Sequence, residues 1–347
     1  MKLLVGNQFW DDLYYRLDNC KSTVVIQFMT FEGDETGLKL ANKLIELSKR
    51  KIKIQLLIDC FTDFKVSDTL WFKSEVKDEV LATKKMIADM ELAGIEVKRT
   101  RPFGWFGQNI LARNHKKIVV IDDYAYLGGI NVSDHNKEWF DFMIGISGEN
   151  KVESIKKDFD STFSGTEINL SENNIYTTKE LEKKFYELIK NAEEEIIISS
   201  PYILDRQLLK ILRTKKDIPK TVYTLKQNNI GVVNLISSYL FRKIPKTNTN
   251  VYFFKQFSHA KFMLVDKKYL LVGSSNFNQH SFYLMQEIGL VIEEKSFIDN
   301  FYKQVITESE FELSKPGKRN LLSNMFNYMV SYFLWLNTSL SFTKVLK

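Results

Sequence analysis

Four histidines occur in the chain of 347 residues: His115, His135, His259 and His280. Two of them open the same pattern. HKKIVVID carries His115, Lys117 and Asp122, and HAKFMLVD carries His259, Lys261 and Asp266, every position repeating at an offset of 144 residues. At this composition a given histidine would be followed by a base at +2 and an acid at +7 in about 2% of cases, so two copies speak for duplication. Between lysine and aspartate each copy is apolar and strand-like, and a period of two turns histidine and lysine to one face. A short loop later come small residues and an amide: GGIN, with Gly129 and Asn131, and GSSN, with Ser274, Ser275 and Asn276. Displacing an alkoxide from a phosphodiester needs a nucleophile, a proton donor for the leaving oxygen and positive charge for the phosphoryl oxygens. Two imidazoles, two ammonium groups and two amides supply all three. A lysine beside each histidine argues against a metal, because ammonium and a divalent cation repel. Neither a metal nor a cofactor is therefore expected.

The elements that must position these residues also come twice. Residues 9–19 have a helical apolar spacing, residues 22–32 read as a buried strand, 37–50 as a helix, 53–59 as a strand and 81–94 as a helix closed by Gly94. KKIVVID and FMIGIS follow as central strands. The second half repeats this order with helix 179–192, strand 194–202, helix 205–215 and the strands VYFFK, KFMLVD and EIGLVIEE. A polar stretch at 165–178 reads as a linker. The expected fold class is α/β. Two duplicated halves each build a mixed, mostly parallel sheet flanked by helices, packed about a pseudo-twofold axis with the active site at their interface. The boundaries expected are 1–168 for the first half, 169–310 for the second, and 311–347 for a basic, amphipathic C-terminal segment.

The motifs resemble the paired H-x-K-x4-D signatures of the phospholipase D superfamily, and both copies are intact. The surrounding segments are similar to bacterial cardiolipin synthases: FEGDETGLKLANKLIELSKRKIKIQLLID, NKEWFDFMIGISG after the first motif, and GSSNFNQHSFYLMQEIGL after the second. The resemblance implies a phosphohistidine route with His115 as nucleophile and His259 as acid/base, roles that the near symmetry of the halves allows to be exchanged. It also implies that a carboxylate beyond each motif holds the far ring nitrogen, which puts Asp141 and Glu287 in that place; strand capping is the alternative. Asp122 and Asp266 read as structural, tying down neighbouring loops. Gly129, Ser274 and Ser275 are carried over as substrate-binding. Two departures stand out: Gly129 occupies a position where serine is common, and the loop from Asp122 to Gly128 is one residue shorter than that from Asp266 to Gly273. His135 and His280 lack the following lysine and read as neighbours of the site or surface residues.

Composition is permissive. With 49 Lys and Arg against 43 Asp and Glu, the net charge of +6 suits an anionic partner without choosing between lipid and nucleic acid. Two cysteines, Cys20 and Cys60, fit a reducing compartment, and acidic residues interrupt any leader-like run at the N-terminus. In RPFGWFGQN, Phe103, Trp105 and Phe106 suit an acyl-chain entrance or a bilayer contact, with ordinary packing as the alternative. The uncharged run 321–342, between Lys315, Lys318, Arg319 and Lys344, Lys347, carries a polar stripe at helical spacing and reads as an interfacial helix, with packing on the protein's own surface or a membrane-spanning helix as the alternatives. The expected partners are a phospholipid substrate and a membrane surface, with cytoplasmic, peripheral attachment. Nucleic acid is the less favoured substrate, since no dense basic stripe interleaved with aromatics appears. No obligate protein partner is evident, and a membrane-binding chain that has lost turnover is the non-enzymatic alternative.

Overall fold

The computed structural model describes residues 1–104, 109–166, 168–202, 206–227 and 248–314, with Asn229, Asn234, Met329 and Tyr332 as single positions. Trp105, Phe106 and the run 321–342, apart from Met329 and Tyr332, lie outside the described residues.

β-Branched and aromatic runs form two sheets. The first contains β1 (Lys2–Val5), β2 (Thr23–Phe28), β3 (Lys53–Asp59), β6 (Glu96–Thr100), β7 (Ile118–Ile121), β8 (Tyr124–Gly128) and β9 (Phe142–Ser147), in the order β1-β9-β8-β7-β2-β3-β6. A separate hairpin, β4 (Lys65–Val66) with β5 (Thr69–Leu70), follows β3. The second sheet contains β10 (Ser171–Glu172), β11 (Ile175–Thr177), β12 (Ile196–Ser199), β13 (Lys220–Thr224), β14 (Thr249–Phe254), β15 (Phe262–Val265), β16 (Tyr269–Gly273), β17 (Ile288–Ile292) and β18 (Phe311–Leu313), in the order β10-β11-β17-β16-β15-β12-β13-β14-β18. The run β9-β8-β7-β2-β3-β6 matches β17-β16-β15-β12-β13-β14 strand for strand, which is the duplication expressed as topology.

The α/β class and the two flanked sheets agree with the expectation, but the strand sense does not. Only β2–β3, β3–β6, β12–β13 and β13–β14 pair in parallel; the remaining ladders of both sheets are antiparallel. Both faces of these strands are covered, so central antiparallel strands read as continuous apolar runs and look parallel in sequence. The hairpin turns decide the matter: two residues, Asp122 and Asp123, join β7 to β8, too few for a crossover. Between β15 and β16 the turn has three residues, Asp266 to Lys268, which locates the one-residue length difference. The stretch 165–178 is likewise more than a linker, since β10 and β11 extend the second sheet against β17. β18 carries that sheet beyond residue 310 by pairing with β14.

Apolar side chains form three layers. Helices α1 (Asn7–Asp18), α2 (Glu35–Lys49) and α3 (Lys77–Leu92) cover one face of the first sheet through Leu13, Leu44 and Met90. Helices α6 (Thr178–Asn191) and α7 (Arg206–Thr214) cover the outer face of the second through Phe185 and Leu212. Between the sheets, Ile118, Leu127, Phe142, Phe262, Val272 and Ile288 share one cluster with Ile155 and Phe159 of α5 (Glu149–Ser164), which follows β9 and the short α4 (Asp134–Glu138). A core common to both halves presses the two histidine segments against each other.

Candidate active site

Each motif histidine sits just before a strand rather than on it: β7 begins at Ile118 and β15 at Phe262. Its backbone is held by the opposite half. The His115 N–H donates to the Gln286 carbonyl at 2.9 Å, and Gln286 N–H returns a bond to Arg113 at 2.9 Å. In the second half the His259 N–H donates to Phe140 at 2.8 Å, and Phe140 N–H returns to Phe257 at 2.9 Å. These short parallel bridges lie immediately before Glu287 and Asp141.

The side chains follow the backbone. His115 Nδ1 is 3.0 and 3.1 Å from the Glu287 carboxylate oxygens, and His259 Nδ1 is 2.9 Å from Asp141 Oδ2. Counting residues onward from each motif pairs Asp141 with His115 and Glu287 with His259; the structure exchanges the partners. Linear offset reports that a carboxylate follows each motif, not which imidazole lies across the interface.

Both imidazoles are nearly closed off, with exposures of 5% for His115 and 4% for His259. Burial pushes His115 down to about 4 against the pull of Glu287, with Lys117 and Lys261 adding to the fall. His259 is held well below the ordinary range by burial, then by Lys261, Lys117 and His115. Burial likewise brings Lys117 down to about 7 and Lys261 to about 8. The carboxylates diverge. Burial raises Asp141 to about 6, whereas for Glu287 the opposing burial is outweighed by His115, Lys117 and the Ser274 hydroxyl, leaving it below its ordinary value.

Lys117 Nζ donates to its own motif's His115 carbonyl at 2.6 Å, and Lys261 Nζ does the same to His259. The amide oxygens of Asn131 and Asn276, each residue 6% exposed, are buried without a hydrogen-bond partner. A buried amide oxygen without a partner is an acceptor that a ligand's donor would satisfy. The loop positions carried over as substrate-binding have protein partners instead. Ser274 Oγ donates to Glu287 Oε2 and accepts from Ile288 N–H at 3.0 Å, and Ser275 Oγ accepts from Phe277 N–H at 3.1 Å. At the matching Gly129 an added Cβ would lie 2.4 Å from Asp141 Oδ2, so the carboxylate fills the space a serine would need.

Asp122 and Asp266 face away from the histidines. Asp122 accepts from the N–H groups of Lys21, Ser22 and Thr23 at 2.8–3.0 Å and from Ser22 Oγ at 2.6 Å; burial opposes its ionisation, but these bonds hold it down at about 2. Asp266 accepts from the N–H groups of Glu193, Glu194 and Glu195 at 2.7–3.0 Å. Each therefore fastens the entry of β2 or β12 to the hairpin beside its motif.

Several neighbours have no signal in the repeat. Arg113, 1% exposed, donates to Asp59 Oδ1 at 2.9 Å while Asp59 Oδ2 accepts from Asn114 N–H at 2.6 Å. Lys116 donates to both oxygens of Asp158 at 2.7 and 2.8 Å. The matching places beside His259 are Phe257 and Ala260, and the surroundings there are aromatic: Trp139 lies 5.4 Å and Tyr202 6.2 Å from the imidazole, with Phe257 4.5 Å from Trp139. His135 meets the edge of Trp139 at 4.9 Å, one ring removed from the site. His280 is packed near Glu287, and burial lowers it to about 4.

Two imidazoles, each oriented by a carboxylate of the other half and flanked by lysines, on a duplicated α/β frame, define an enzyme of the phospholipase D type. A sequence profile described as "Cardiolipin synthase, PLD-like domain" matches residues 13–163 and 185–308, and the chain belongs to that family of phospholipid phosphodiesterases and phosphatidyltransferases. It is 26% identical over 364 residues to cardiolipin synthase 1 of Bacillus anthracis, covering 92% of this chain and 68% of that protein. It is 23% identical to a cardiolipin synthase of Clostridium perfringens, covering 92% and 73%. The phosphatidylserine synthase of Haemophilus influenzae superposes with a TM-score of 0.72 at 12% identity, over 100% of this chain and 94% of that one, a likeness of fold. Among the described residues no helix is long and apolar enough to cross a membrane.

Proposed function

We propose that the chain is a cardiolipin synthase-like phosphatidyltransferase that works through a phosphohistidine. The observation that carries this reading is the crossed pair His115–Glu287 and His259–Asp141, which commits each Nδ1 to a carboxylate, so that Nε2 is the ring nitrogen each imidazole offers to phosphorus. His115, neutral by burial and donating Nδ1–H to an ionised Glu287, is the nucleophile. Its Nε2 attacks the phosphorus of phosphatidylglycerol, and the bond to the glycerol oxygen breaks with a proton delivered by His259. The bound diester adds negative charge beside Lys117, Lys261 and His259, which draws protons onto all three. In the second step the acceptor alcohol gives its proton to His259 and attacks phosphorus, releasing His115. Water in that place yields hydrolysis. Asn131 and Asn276 bind the phosphoryl oxygens by donating their Nδ2–H groups. Gly129 and Ser274 serve the site indirectly, by making room for Asp141 and by holding Glu287.

Incubation with phosphatidylglycerol labelled in its phosphate, stopped in denaturant at alkaline pH where a phosphorus–nitrogen bond survives, tests class and route together. The expected result is label on His115, lost in His115→Ala. Label from single-stranded DNA and none from lipid would replace the substrate, and turnover without any labelled histidine would remove the intermediate.

A further inference from the structure

The β4–β5 hairpin reaches the surroundings of both motif histidines. Asp68 at its turn accepts from Asn229 Nδ2 at 2.7 Å, and Asn229 accepts from the hydroxyl of Tyr202, whose ring is 6.2 Å from His259. Just before the hairpin, Phe64 lies 5.4 Å from Phe103, and the guanidinium of Arg113, two residues before His115, stands 4.5 Å over that ring. The chain then turns outward. Trp71 N–H bonds to the Phe64 carbonyl at 3.1 Å, yet Trp71 and Phe72 are 49% and 61% exposed, their rings edge to face at 6.0 Å. Ile110 and Leu111, 38% and 43% exposed, leave the same aromatic cluster at Asn109, which donates to the Phe103 carbonyl and accepts from Arg113. Four large apolar side chains thus stand in solvent around a cluster that abuts the catalytic histidine. Scattered apolar residues are ordinary on a surface, but the paired rings of Trp71 and Phe72, tied by Trp71 N–H to a cluster beside the site, form a contact surface.

We propose that this rim, led by Trp71 and Phe72, docks into the interface of the phospholipid bilayer that holds the substrate, so that a headgroup passes to the buried histidines without leaving its membrane. The proposal rests on the phospholipid reading above, because the surface that must come against the mouth of such a site is the bilayer itself. Tryptophan suits that depth, with an apolar body and a polar N–H. Charge contributes little here: exposed Lys73 and Lys77 are offset by exposed Glu75 and Asp78. Docking is therefore apolar and only weakly sensitive to salt.

Flotation with vesicles of phosphatidylcholine and phosphatidylglycerol, using the full chain and its Trp71→Ala/Phe72→Ala variant, tests this directly. The variant is expected to lose about tenfold or more of its vesicle partitioning, as burial of two aromatic rings implies, at low and at high salt alike. Its KM rises on vesicle substrate, while kcat/KM on monomeric short-chain phosphatidylglycerol stays at the wild-type value. Trp71→Gln alone gives a smaller loss in the same direction. Unchanged partitioning of the double variant, or a wild-type chain that ignores vesicles, overturns the proposal. So does a concentration-dependent dimer that these substitutions dissociate, since the patch then belongs to a second copy. A wild-type chain that floats through this tip yet turns over neither form of phosphatidylglycerol supports the docking and removes the substrate reading instead.

Discussion

Asp141 and Glu287 perform one task with different reach. Glu287 is longer and takes a further bond from Ser274, whereas Asp141 occupies the space left by Gly129. Gly129→Ser is accordingly expected to displace Asp141 and lower kcat, in contrast to a simple gain of a hydroxyl; steady-state kinetics decide it. His115→Ala and His259→Ala should each lower kcat by at least about 10³ with the melting temperature unchanged, as nucleophilic and acid–base roles imply. Activity near wild type in either variant would take that histidine out of the mechanism. The titrations give a bell-shaped kcat/KM. Asp141, raised to about 6, must be ionised to hold His259, so activity falls as pH drops through that value. Lys117 and Lys261, lowered to about 7 and about 8, must carry charge, so activity falls again as pH rises through that range. A rate still climbing beyond pH 8 would contradict the lysine roles.

At the scale of elements, the motif aspartates act on strands. Asp122 gathers three backbone N–H groups at the entry of β2 and Asp266 three at the entry of β12, so Asp122→Ala should lower the melting temperature while leaving kcat close to wild type. A large loss of kcat at wild-type stability would return Asp122 to the chemistry. Lys116 and Asp158 are a buried pair with side-chain exposures of 3% and 0%, tying β7's approach to α5. Asp158→Ala leaves the ammonium unpaired, which costs about 3–5 kcal/mol by denaturant unfolding, whereas an apolar replacement of both partners recovers most of it. The apolar runs of β2, β7 and β9 announced buried strands in the sequence; β9 matches its run, whereas β2 stops at Phe28 and β7 is confined to Ile118–Ile121. Their sense was not legible, because alternation disappears when both faces are covered.

The whole molecule completes each half of the site with the other. His115 and Glu287 stand 172 residues apart in the chain and His259 and Asp141 stand 118 apart, yet each pair is in hydrogen-bond contact. His115→Ala and Glu287→Ala should therefore be strongly non-additive in kcat, the double variant being little worse than His115→Ala alone. Additive losses would mean the carboxylate acts elsewhere. The ammonium groups of Lys117 and Lys261 repel a divalent cation, so turnover is expected to persist in excess chelator; loss restored by a divalent ion would overturn that.

Reactive residue types, their duplication and the presence of a carboxylate after each motif were all readable in one dimension, because each is a matter of identity and spacing. Local periodicity also placed the strands beside them. Which carboxylate serves which imidazole, why residue 129 is glycine, and the contrast between the ion-paired flank of His115 and the aromatic flank of His259 came only from the tertiary structure. These follow from how two sheets press together across a shared core, and contacts across an interface leave no spacing in the chain.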